Sequence, residues 1–150
     1  MADRPPLQHV ACFIDDSEAA ARALAQAAAV HELAGGRLSV VHVMADPGFF
    51  VSMAAAVGGA PPHDVETQRE AARLWLAEEA RTIPGAEPVL LEGQPEVAAC
   101  AWAREHDCDL MVAATHRTGL ERALLGSFAT YVAHHSPCPV LLVPPAERGR

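Results

Sequence analysis

The residues of this chain best suited to chemistry gather at the ends of its apolar runs. Gly126-Ser127 opens the segment GSFATYVAHH, Asp15 follows HVACFI, and His116, Arg117 and Arg122 lie in the stretch THRTGLERALLGSF, residues 115–128. At a helix start the free N–H groups point at any bound anion, glycine permits close approach, and a serine hydroxyl adds a donor. Ser127 is equally suited to be a simple cap or early-turn residue. Asp15 can accept a hydrogen bond from a ligand hydroxyl or amino group, or help hold a metal. It can also cap the next helix, a role for which Asp16 and Ser17 compete. Arg117 and Arg122 offer the two-pronged guanidinium grip that suits phosphate, although a solvated position on a loop or helix face also explains Arg122.

Other chemistry is excluded or lacks a frame. All eleven basic residues are arginine, so neither a Schiff-base lysine nor a phosphate-binding P-loop lysine is available. The net charge of −8 disfavours nucleic acid, whose binding rests on phosphate neutralisation. Backbone N–H groups and helix dipoles can still hold a nucleotide on an acidic protein. Eight histidines invite a metal, but no HExxH occurs, and the side chains of adjacent His134 and His135 diverge by about 100° on a helix. His42, within an apolar strand, is read as a packed core residue. There is no GxSxG elbow. His106, Asp107 and Asp109 cluster at a strand start, the rim opposite any ligand site expected for parallel strands. Cys12, Cys100, Cys108 and Cys138 form no CxxC pair and are expected to be reduced and structural.

The elements that must position these groups alternate. Strands are expected at 9–14, 37–43, 88–93, 109–114 and 138–143. Helices are expected from Asp16 or Ser17 to His31 with Gly35-Gly36 as the stop, from an Asp64 cap to about Arg81, over 95–106, and from about Gly126 to His135. Residues 1–7 read as an arm, 144–150 as a tail, and 44–63 as a long Gly/Pro-punctuated connection of the kind that is functional or mobile. In that connection Phe49, Phe50 and Met53 offer a contact surface or a lid. The pattern is α/β: an open parallel sheet with helices on both faces, in one domain spanning 1–150. No apolar run approaches the roughly 18 residues of a membrane span. The opening MADRPPLQHV lacks the marks of a secretion signal, so a cytoplasmic protein is expected.

VACFIDDSEAAARAL, LSVVHV, EGQPEVAACAWAREHDCDLMVAATH and, most specifically, GLERALLGSFATYVAHHSPCPVLLV together resemble the universal stress protein family over nearly the whole chain. The resemblance implies a Rossmann-like, five-stranded parallel sheet of order 3-2-1-4-5. It also implies a homodimer, in many members formed by pairing of the last strands, here Val140, Leu141, Leu142 and Val143. Family members that bind ATP carry a glycine, two residues, a second glycine, nine residues, then Gly-Ser or Gly-Thr. In this chain Ala114 stands at the first glycine, the second has no counterpart, the loop is one residue shorter, and Gly126-Ser127 retains the final pair. By resemblance the nucleotide site comprises Phe13, Asp15, Val43, Ala113, Ala114, Arg117, Gly126, Ser127 and Phe128. Asp15 and Val43 would take the base and ribose, and the backbone at 126–128 the phosphate. The implied ligand is ATP, ADP or AMP, with or without Mg²⁺, and AMP or ADP suits the surviving half better than a fully gripped triphosphate.

Two functions stay open on these grounds. One is a stress-response regulatory protein with a weakened adenine-nucleotide site and at most slow ATP hydrolysis. The other is a family member that does not bind nucleotide and acts through dimerisation and contacts with a protein partner. Neither involves nucleic acid or a membrane.

Overall fold

The computed structural model describes residues 7–59, 65–115 and 126–146, with the side chains of Pro47, Phe49, Phe50 and Val51 outside that description. Five strands, β1 (His9–Phe13), β2 (Arg37–Met44), β3 (Glu87–Glu92), β4 (Leu110–Ala114) and β5 (Val140–Val143), form one sheet. Its order is β3-β2-β1-β4-β5, and every neighbouring pair is parallel. All five residues of central β1 are buried, as a strand covered on both faces requires.

The helices are α1 (Glu18–Ala34), α2 (Pro47–Ala56), α3 (Val65–Arg81), α4 (Pro95–Glu105) and α5 (Ser127–His135). Against one face of the sheet lie α1 and α3, whose Ala23, Leu24, Ala27, Leu76 and Ala80 pack on Val10, Cys12, Leu38, Val40 and Val112. Against the other lie α4 and α5, whose Ala99, Cys100, Trp102, Ala103 and Val132 pack on Ala11, Phe13, Val41 and Met111. In α1 the buried residues Ala20, Ala23, Leu24 and Ala27 follow the helical repeat, so one stripe of small side chains lets the helix lie close to the sheet. Ser17 is its cap, accepting from Ala20 N. Gly35, at φ 70°, closes the helix by donating its N–H to the His31 carbonyl. The helix therefore runs three residues beyond the expected His31, to Ala34. Gly36 is required for close approach instead. A Cβ there would stand 2.4 Å from the Gln8 carbonyl oxygen, so only glycine lets the turn into β2 pass the start of β1.

The largest departure from the sequence expectation lies in 44–63, which contains a helix. Asp46 caps α2 by accepting from Gly48 N, and Pro47 occupies its first turn. The segment PGFFVSMAAA is apolar all round, so it shows no amphipathic period by which a helix announces itself. Met53 is more than half exposed. The expected Asp64 cap of α3 lies outside the described residues. The last strand begins at Val140 and not at Cys138. Pro139 lacks an N–H, and Cys138 is held in a turn, its N–H donating to Ser136 Oγ and its carbonyl accepting from the same hydroxyl. The four cysteines are free; burial pushes the Cys12 and Cys108 thiols up to about 12.

Candidate functional site

Strand order reverses between β1 and β4, and parallel sheets of this kind open a crevice at the carboxyl ends of the strands where that happens. A cavity of about 430 Å³ lies there. Phe13, Ile14 and Asp15 enter it from β1, Val41, His42 and Val43 from β2, and Ala113 and Ala114 from β4. Gly126, Ser127, Phe128 and Ala129 supply the start of α5, with Ala20 and Pro95 completing the wall. The volume falls within the range of small-ligand sites, roughly 300–1,000 Å³. Of the residues expected from the sequence to bind nucleotide, all that lie among the described residues line this one cavity. Arg117 lies outside the described residues, as do His116 and Arg122.

Local sequence explains the polar edge of the cavity. Asp15 Oδ1 accepts from Ser17 N at 3.0 Å and from Ser17 Oγ at 2.5 Å. Ser17 Oγ accepts in turn from Ala20 N at 3.2 Å. Helix capping and the carboxylate at the cavity edge are therefore one relay: Ser17 does the capping, and Asp15 is oriented by it. The negative charge also sits beside the first turn of α1, where the helix dipole favours it.

The opposite wall is the start of α5. Gly126 is the cap residue, with no side-chain hydrogen bond closing the helix end. Thr130 N donates to the Gly126 carbonyl as the first intrahelical bond, so by helix geometry the N–H groups of Ser127, Phe128 and Ala129 have no acceptor inside the helix. A Cβ built on Gly126 meets nothing within 4 Å among the described residues, on the side of those donors. Phe128 leans on Phe13, their ring centroids 6.2 Å apart, and together they form an apolar, aromatic surface at the cavity. Nearby, at the tip of β4, Thr115 is buried with its N–H bound to the Val143 carbonyl. Its Oγ1 has no hydrogen-bond partner among the described residues. The cavity thus has apolar walls, a carboxylate at one edge and a helix amino terminus at another. That combination suits a flat ring with attached hydroxyls and an anionic group.

His42 corrects the sequence expectation of a core residue. It is half-buried and lines the cavity. Nδ1 lies 2.7 Å from the Ile14 carbonyl oxygen, which can only accept, so Nδ1 carries the proton and Nε2 of the neutral ring is an acceptor. The ring meets Trp75 of α3 edge-on at 5.1 Å. No local signal separates such a histidine from a core one, because its neighbours in sequence are apolar and its partners come from β1 and α3. His134 and His135 lie at the end of α5, far along the helix from its cavity end, with His135 stacked on Tyr131 at 4.0 Å. His106, Asp107 and Asp109 fall on the opposite rim, near the start of β4. Val140, Leu141 and Leu142 are half-buried and Val143 buried on β5, an edge strand of the sheet.

The sequence model of the universal stress protein family matches residues 6–144. The chain belongs to that family. Among universal stress proteins, one from Thermus aquaticus is 34% identical over 137 residues, covering 86% of this chain and 93% of its own. The fold superposes on a universal stress protein of Archaeoglobus fulgidus solved in complex with dAMP, with a TM-score of 0.64, 22% identity and coverage of 93% and 99% of the two chains. It also superposes on a universal stress protein solved in complex with cAMP, with a TM-score of 0.66, 21% identity and coverage of 92% and 97%. These structural likenesses, at such identities, establish the shared fold. Among the described residues, no helix of this universal stress protein is long and apolar enough to cross a membrane.

Proposed function

We propose that this universal stress protein is a cytoplasmic, homodimeric stress-response regulator that binds an adenine nucleotide in the cavity at the carboxyl rim. The observation that carries the proposal is the convergence of Asp15, Val43 and the start of α5 on one cavity of about 430 Å³. The base would lie among Val41, Val43 and the Phe13–Phe128 pair, with the ribose hydroxyls toward Asp15. The phosphate would meet the N–H groups at 127–129 and the Ser127 hydroxyl, where a Cβ on Gly126 would meet none of the described residues. Two structural neighbours crystallised with cAMP and dAMP, each of which carries a single phosphate, and this favours AMP or ADP over a triphosphate. Ala114 in place of glycine adds a methyl group beside the phosphate path and removes a position of free backbone conformation.

Calorimetry of nucleotide-stripped protein with AMP, ADP and ATP, each with and without Mg²⁺, tests this. Saturable micromolar binding is expected, weaker several-fold in Ser127→Ala. Absence of heat and of any thermal shift at millimolar ligand would replace the proposal by the partner-binding role. The dimer is assigned to β5, whose edge would otherwise stay open. Leu141→Asp should yield monomer by light scattering, and an undiminished dimer would place the interface elsewhere.

A further inference from the structure

The amino-terminal rim of the sheet holds a buried polar cluster that the nucleotide cavity does not use. His9, the first residue of β1, is only 4% exposed. Its Nδ1 is 3.0 Å from the His106 carbonyl oxygen, so Nδ1 carries a proton and donates it. Nε2 must then accept, and Ser39 Oγ of β2, in a residue only 1% exposed, donates to it at 2.9 Å. The backbone joins in: His9 N donates to Asp109 Oδ2 at 2.9 Å, and Asp109 N to the His9 carbonyl at 2.8 Å. Trp102 of α4 meets the His9 ring edge-on at 5.7 Å and stacks on His106 at 4.3 Å. One imidazole thereby ties the starts of β1 and β2 to the turn between α4 and β4.

We propose that this cluster is a proton-operated latch: neutral His9 clamps the amino-terminal rim, and proton uptake by His9 releases it, so the fold loosens in mild acid. Protonation would turn Nε2 into a donor. Ser39 would have to rotate its hydroxyl to accept, leaving its own proton without its present acceptor in a buried site. The new charge would also lie 3.4 Å from a guanidinium nitrogen of Arg37, which is equidistant from both ring nitrogens. The other groups facing the ring do not reverse this balance. Cys108 Sγ, 3.6 Å from Nδ1, belongs to a thiol that burial keeps protonated, and His106 would add positive charge if protonated. Asp109 favours the charged ring, and so does the His106 carbonyl, but burial outweighs them and Arg37 adds to it. Burial, first, and then Arg37 hold the His9 imidazole below its ordinary 6.5.

The sign follows from linkage. Below about 6.5 the unfolded chain binds a proton at this position while the folded chain resists it, so stability is complete above that pH and is lost as pH falls toward the folded-state value. One linked proton lowers the folding equilibrium constant by up to tenfold per pH unit within that window.

The test uses the full chain. Imidazole ¹⁵N NMR should show His9 as the Nδ1–H tautomer, titrating below 6.5, and denaturant midpoints should fall with pH beneath that value. Arg37→Gln, at an exposed position, should raise the His9 titration point and flatten the decline in stability, which a purely structural role for Arg37 would not do. His9→Gln should be less stable than the parent at neutral pH and less sensitive to acid. If His9 titrates at or above 6.5, or if Arg37→Gln leaves its titration and the pH profile unchanged, the latch is wrong; the NMR result stands even where His9→Gln does not fold.

Discussion

The two rims of the sheet are built from the same strands and treat their polar groups in opposite ways. At the amino-terminal rim, His9, Ser39, Asp109 and the His106 carbonyl bond to one another inside the chain, and the turn through Gly36 is packed against the Gln8 backbone. At the carboxyl rim, Asp15, the first N–H groups of α5 and His42 stand around a cavity of about 430 Å³, and a Cβ on Gly126 would meet nothing among the described residues. One cluster is satisfied within the fold, and the other is left facing a cavity. Buried polar groups cost stability unless paired, so a rim with no ligand must pair its own. Polar groups at the edge of a cavity can be completed by water or by a ligand instead.

The largest loss of stability is expected at Gly36. Gly36→Ala drives a Cβ into backbone atoms that cannot swing aside, and the loss should be about 3 kcal/mol or more by urea denaturation. A loss under about 1 kcal/mol would show that the closed rim yields, and its tight packing would lose its meaning. Asp15→Ala comes next. Nucleotide affinity should fall about tenfold, equivalent to roughly 1.4 kcal/mol, by calorimetry. Equal affinity in parent and variant would reduce Asp15 to a support for the α1 cap.

Ser17→Ala sharpens the same point from the other side of the relay. It should cost about 1 kcal/mol of stability as the cap is lost, with a smaller change in affinity than Asp15→Ala produces. The reverse ranking would mean that the orientation of the carboxylate, not its charge, governs binding. The smallest stability effect is expected for Gly126→Ala, within about 0.5 kcal/mol of the parent, because φ is −59° and the added methyl meets none of the described residues. Its affinity should nevertheless fall several-fold if the phosphate occupies the position proposed for it beside α5. Unchanged affinity would move the phosphate away from α5.

The alternation of strand and helix was legible because each signal is local. VACFI and LSVVHV are short, largely apolar runs, α1 carries its small residues at helical spacing, and Gly35 marks its end. The segment at 47–56 was not legible as a helix, since apolar residues on every side leave no period to detect. Much of the cavity could be anticipated from motif residues, Asp15 beyond the first strand and Gly126-Ser127 at the start of the last helix above all. His42 could not, because the carbonyl that fixes it belongs to Ile14 and the ring that packs on it to Trp75, 28 and 33 positions away by number. His9 was hidden in the same way inside an apolar run.

The alternation of the five strands with α1, α3, α4 and α5, the family, the stop after α1 at Gly35 and the residues available at each strand end were legible in the chain alone, since these rest on contacts within a few positions, whereas α2 and the choice of Ser17 over Asp16 as the α1 cap were not. Tertiary structure decided which polar residues close on one another and which face a cavity. Parallel pairing brings the starts of β1, β2 and β4 to one rim and their ends to the other, and His9 meets Ser39 across 30 positions and the His106 carbonyl across 97. Separations of that length leave no periodic trace, so only the folded register shows that one histidine is locked into a buried network while another lines a cavity.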